Sequence, residues 1–153
     1  MDATQDFRIR TANKNDLFQL TVLCYNFVKE APDIFLSFDK DKVEHILEAI
    51  VDSDIGEIFI LEKNNIPCGL LIGAISELPF SRKRIANELA WFVEKEHRGG
   101  TKALRLIKAY EKWAREGGAD IISMSNLNEV QDLGSLYYRL GYKATETSYT
   151  KVA

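Results

Sequence analysis

Glu88-Leu-Ala-Trp-Phe-Val-Glu-Lys-Glu-His-Arg-Gly-Gly-Thr-Lys-Ala-Leu-Arg-Leu-Ile107 decides how this chain reads. Residues 85–94 form an apolar run of strand type. A short turn follows, carrying His97, Arg98, Gly99 and Gly100, and an amphipathic helix begins at once. Small residues and a guanidinium therefore sit where a helix exposes its free backbone N–H groups. Those donors, with the positive end of the helix dipole, make an anion site. The spacing fits the pyrophosphate of a nucleotide-bearing cofactor.

Working outward, the chain has 153 residues, 46% hydrophobic and 28% charged. That suits one domain, 1–153, able to bury roughly 68–70% of its unfolded surface. The net charge of -3 argues against a polyanion binder, so neither nucleic acid nor a membrane surface is expected as a partner. Cys24 and Cys68 lie far apart, with no metal-ligand spacing and no disulfide framework; no metal is expected. No apolar stretch approaches the ~20 residues that cross a bilayer. The first residues lack a basic segment followed by an apolar one. A cytoplasmic, reducing location is the expectation.

Residues 7–12 alternate as a strand, with Phe7 and Ile9 inward against Arg8 and Arg10. Asn13 or Asn15 can cap a helix over 16–29, with Leu17, Leu20, Leu23 or Cys24, and Phe27 on one face. Ala31-Pro32-Asp33 stops it, and Asp39 or Asp41 opens a second helix. Strands are expected over 55–62 and 67–76, joined at Asn64-Asn65, because Asn tolerates positive φ. The helix over 101–116 ends at Gly117-Gly118. A strand over 119–124, a short helix over 131–140 and a last strand over 142–152 complete the order β-α-α-β-β-β-α-β-α-β. Hairpins in the middle and crossovers late imply an α/β (α+β) fold, a mixed sheet flanked by helices.

Two motifs in this order resemble the GNAT superfamily of acyl-CoA-dependent N-acyltransferases. Arg98-Gly99-Gly100-Thr101-Lys102-Ala103 stands where that family carries Arg/Gln-x-x-Gly-x-Gly/Ala between a strand and a helix. Leu136-Tyr137-Tyr138-Arg139-Leu140-Gly141-Tyr142 resembles its Leu-Tyr-x-x-x-Gly-Phe segment. Thr101 departs from the usual Gly, though its hydroxyl can donate to a phosphate oxygen. Asn126 and Asn128 lie out of the register of the family's asparagine, and neither inherits its role.

The resemblance implies a splayed central sheet, acetyl-CoA (coenzyme A) as cofactor, and transfer of an acetyl group to a small-molecule or protein amine. The N–H groups of Gly99, Gly100, Thr101, Lys102 and Ala103 would wrap the pyrophosphate, with the Arg98 side chain adding a charge-assisted contact. The backbone at Trp91, Phe92 and Val93 would pair with the pantetheine arm, an N–H near Phe92 would polarise the thioester oxygen, and a bulge near Ala90-Trp91 would open the slot. Arg105 can reach an outer phosphate.

An alkylamine of pKa ~10.4 is almost wholly cationic at neutral pH and must lose a proton before it attacks. Glu88 is the expected base, with Glu77, Glu94 and Glu96 as lesser candidates, and Tyr137 is the expected acid for the leaving thiolate. Tyr138 should face about 100° away from Tyr137. The acceptor site would be walled by residues 25–38 and 142–149, with Phe35, Phe38, Asp33 and Asp39 as an apolar floor with carboxylates nearby. Family habit allows a homodimer. The competing reading is a catalytically silent descendant that keeps the fold as an acyl-CoA-binding or protein-interaction module.

Overall fold

A computed structural model describes residues 6–127 and 132–153. β1 (Phe7–Thr11) leads into a capping box, in which the Asn13 side chain accepts from the Asn15 N–H and the Asp16 carboxylate accepts from the Asn13 N–H. α1 (Leu17–Glu30) then runs until Ala31-Pro32, where proline's missing N–H ends it. α2 (Lys40–Val51) is capped by Asp39, whose Oδ1 accepts the Lys42 N–H at 3.0 Å.

β2 (Gly56–Lys63) and β3 (Ile66–Glu77) form a hairpin. Asn64 and Asn65 take φ of 50° and 66° at its turn, the left-handed pair that a tight hairpin needs. β4 (Arg84–Val93) pairs antiparallel with β3, and α3 (Lys102–Glu116) crosses back to β5 (Ile121–Ser123), which pairs parallel with β4. α4 (Gly134–Arg139) is the last regular element. The sheet is five-stranded, in the order β1-β2-β3-β4-β5.

Both faces of the sheet are buried, so its central strands read as near-continuous apolar runs. Ile58, Ile60, Leu70 and Ile72 face α1 and α2, meeting Leu20, Leu23 and Leu47. Phe59, Leu61, Leu71 and Ile75 face α3, meeting Leu106, Ile107, Tyr110 and Ala114. Gly73 lets α3 approach; a Cβ there would lie 2.7 Å from the Tyr110 ring.

The expected mixed sheet flanked by helices is present, with differences toward the C-terminus. Residues 142–152 form no strand. Both alternating sets are polar there, and Tyr149 and Val152, its largest apolar side chains past Tyr142, stay exposed. Neither face offers apolar area to offset the ordering cost, and β5 is too short to template a long ladder. β5 and α4 are likewise shorter than the sequence implies, and Gln131, expected to begin the last helix, lies outside the described residues.

Candidate active site

The loop from β4 to α3 carries Gly99 at φ +89° and Gly100 at φ +64°. A Cβ on either would meet nothing within 4 Å, so glycine is required here by backbone conformation and not by crowding. Thr101 precedes α3 with no side-chain cap bond, and the first N–H groups of α3 have no intrahelical acceptor by geometry. The result is an open cradle of amides at the positive end of the helix.

The Arg98 side chain leaves this cradle. Its Nε donates to the Val93 carbonyl at 2.6 Å, and its Nη2 meets both Glu30 carboxylate oxygens at 2.8–2.9 Å. The guanidinium also lies over the Phe92 ring, 5.4 Å from its centroid. Asn26 adds a second tie between α1 and this region, donating to Glu94 at 2.9 Å. Arg98 thus fastens the end of β4 to the end of α1, and no feature of the motif marks Glu30 as its partner. Arg105 donates to the Phe7 carbonyl, and the Lys102 ammonium lies over the Phe7 ring.

The other end of the site is the opening between β4 and β5. These strands pair only through Ile85–Ile121, Ala86–Ile122 and Asn87–Ser123. Beyond Asn87 the outer edge of β4 has no strand partner among the described residues, while its inner edge stays on β3 through Trp91, Phe92 and Val93. A register shift pairs Ile72 with Ala90 and Gly73 with Glu88, so the extra residue is Leu89, just before the expected Ala90-Trp91. The bulge turns the strand where the opening begins.

Glu88 and Tyr137 converge on Ser125. The Glu88 Oε2 accepts the Ser125 N–H at 3.0 Å, and the Tyr137 hydroxyl donates to the Ser125 carbonyl at 2.7 Å. Burial pushes the Glu88 carboxyl up to about 7, against the pull of the Ser125 N–H. Burial, and then the nearby Glu88 charge, push the Tyr137 phenol above its ordinary range. Tyr137 is buried and Tyr138 exposed, as their helical spacing predicts. Ser125 escapes sequence reasoning because it acts through its backbone, which its identity does not advertise.

Trp91 and Phe92 part company across the sheet. Trp91 packs toward Tyr137, ring centroids 6.4 Å apart, and its buried Nε1 has no partner among the described residues. Phe92 turns to Phe27 in the α1 core. Between α1 and β4 lies a cavity of about 410 Å³ that reaches Glu88, Trp91 and Ser125. Phe35 lines it, whereas Phe38 meets Tyr25 edge to face and Asp39 caps α2. An open groove of about 1520 Å³ adjoins it, bordered by β5, α4 and the unpaired residues after Tyr142. Glu77 is exposed at the far end of β3, outside the site, and Asn128 lies outside the described residues. Among the described residues, no three His, Cys, Asp or Glu side chains gather as a metal site would need, and no helix is long and apolar enough to cross a membrane.

A strand whose outer edge opens away from its neighbour thus lies beside an amide cradle at the start of a long helix. The profile of the acetyltransferase (GNAT) family matches residues 15–142, and the chain belongs to that family. Many solved structures share the fold, three acetyltransferases among them. Aminoglycoside N-acetyltransferase AAC(6')-Iy, in complex with a CoA-linked bisubstrate analogue, is 20% identical, with 96% of this chain and 97% of that one covered and a TM-score of 0.77. A predicted acetyltransferase from Clostridium acetobutylicum, with acetyl-CoA, is 15% identical over 96% of each chain, TM-score 0.77. An aminoglycoside acetyltransferase from an uncultured soil metagenomic sample, in complex with sisomicin, is 18% identical over 99% and 97%, TM-score 0.71. At these identities the likeness is one of backbone. No curated protein sequence shows significant similarity to this chain.

Proposed function

We propose that the protein is an N-acetyltransferase that moves an acetyl group from acetyl-CoA to a primary amine by direct attack. The observation that carries the reading is the convergence of the Glu88 carboxylate and the Tyr137 hydroxyl on Ser125, at the mouth of the β4–β5 opening. Family membership and the CoA-type ligands of two fold neighbours support the cofactor.

The residues present fit that cofactor. Gly99 and Gly100, both at positive φ with open space around them, leave room for phosphate against the amides from Gly99 to Ala103. Along Trp91, Phe92 and Val93 no strand among the described residues covers the outer edge of β4, which leaves backbone groups for an amide-bearing arm, although the Val93 carbonyl is taken by Arg98. The cofactor, when bound, supplies an acyl group activated as a thioester.

The rest falls to the chain's own groups. The Glu88 Oε2 holds the Ser125 N–H, so Oε1 is the oxygen that takes the proton of the incoming ammonium. Burial keeps the Tyr137 phenol protonated, and its hydroxyl hydrogen leaves the Ser125 carbonyl to reach the departing sulfur. The walls at Trp91 and Phe27 are apolar and offer water few hydrogen-bond partners beside the reacting carbon.

The test is thiol release from acetyl-CoA over a panel of amines. Glu88→Gln and Tyr137→Phe are each expected to lower kcat by on the order of 10²–10⁴-fold, the usual contribution of one positioned acid or base. Unchanged release in both variants overturns these roles. Tight acetyl-CoA binding with no release on any amine overturns the enzyme reading in favour of a binding module.

A further inference from the structure

The cavity beside Glu88 has a lining of one dominant kind. Phe27, Phe35, Leu89, Trp91, Leu127 and Leu133 make most of its wall, and Ser125 and Asn126 are its uncharged polar residues. Among the described residues that line it, Glu88 alone is ionisable. Its volume of about 410 Å³ lies toward the small end of ligand pockets.

The adjoining groove carries carboxylates of its own, but Asp33, Asp120 and Glu146 line the groove and not this cavity. Glu30 is held by Arg98, and Glu111 accepts from Arg115 and from the Tyr142 hydroxyl. A second ammonium brought into the cavity would lose its water with no second carboxylate among the described lining residues to meet it, a large penalty. A sugar hydroxyl would meet mostly hydrocarbon.

From this lining we infer that the acceptor is a small molecule with a single amine on an apolar body, its nitrogen at Glu88 and its body against Phe27, Phe35 and Leu127. The inference rests on the acetyl-transfer reading above and narrows it. It sets this chain apart from the aminoglycoside acetyltransferases that share its fold: those ligands are polycationic and hydroxyl-rich, and the shared backbone does not carry their lining.

The experiment compares kcat/KM for thiol release from acetyl-CoA with 2-phenylethylamine, hexylamine, spermidine and sisomicin. The two monoamines are expected to exceed the two polycations by at least about tenfold, the scale on which apolar pockets discriminate. Phe35→Asp places a carboxylate in the wall at a half-exposed position that the fold tolerates. It is expected to lower the monoamine values about tenfold and to raise that for spermidine. Polycations ahead in the parent protein, or a Phe35→Asp profile identical to the parent, overturn the inference and leave acetyl transfer standing. No release with any of the four amines overturns acetyl transfer and this inference with it.

Discussion

As the base we propose, Glu88 meets opposing demands. Burial favours its neutral form, yet a base must be ionised to accept a proton, and the Ser125 N–H only partly compensates. A carboxyl near 7 is ionised above that pH and protonated below it. The rate should therefore rise as pH increases through about 7 and level off above it, with Glu88→Gln losing that limb; a pH profile of kcat/KM decides. Ionisation of a free amine near ~10.4 falls well above this window and is separable from it. At the same scale, Glu30 is a positioning residue. Glu30→Ala leaves the Arg98 guanidinium half-buried without its carboxylate and should cost about 1–3 kcal/mol in stability. Because Arg98 anchors the loop that follows β4, the KM for acetyl-CoA should rise more than kcat falls; a thermal melt and steady-state kinetics check the two effects together.

At the scale of elements, the sequence was most readable where chemistry is local. Asn64-Asn65 required a left-handed turn, Asp39 a helix start and Pro32 a helix end, and each stands where it was expected. What the sequence concealed is non-local. Arg98 was recognisable as a motif residue, but its partner lies 68 positions away and no pattern links them. Residues 142–152 alternate, and alternation alone suggested a strand, although neither face carries the apolar side chains that would hold one. The glycine loop was legible in identity, as small residues in a short turn, while its left-handed conformation came only with the structure. Gly99→Ala and Gly100→Ala meet no atom within 4 Å, so their penalty is purely backbone, about 1–2 kcal/mol for a left-handed residue. The cost falls on the amide cradle. Each variant is expected to weaken acetyl-CoA binding by roughly five- to thirtyfold by calorimetry while leaving the fold intact by circular dichroism.

Across the whole molecule, two features balance each other. One end of the sheet is pinned by buried charge. Glu62 is almost fully buried and meets Arg8 and Arg10, and Arg10 also grips Asp16 at 2.7–2.8 Å. Burial pushes Glu62 up, but the hydrogen bonds from Arg10 and Arg8 prevail and hold it below the ordinary carboxylate range; the Arg10 hydrogen bond likewise lowers Asp16. Stability from such groups is present above their unfolded pKa of about 4 and fades as pH falls through the lower folded value. Glu62→Gln should therefore destabilise the protein by about 3–5 kcal/mol at neutral pH, with a gap to the parent that narrows below pH ~4 in melts taken across pH. The opposite end of the sheet is held far more lightly, by the short β4–β5 pairing and the two bonds to Ser125. That lightly sewn seam is where a cofactor arm would enter. A guest lying along it would supply the missing stitches, so filling the slot and stiffening the weaker half of the sheet become one event, and without that guest Glu88 and Tyr137 sit on the margin that yields first.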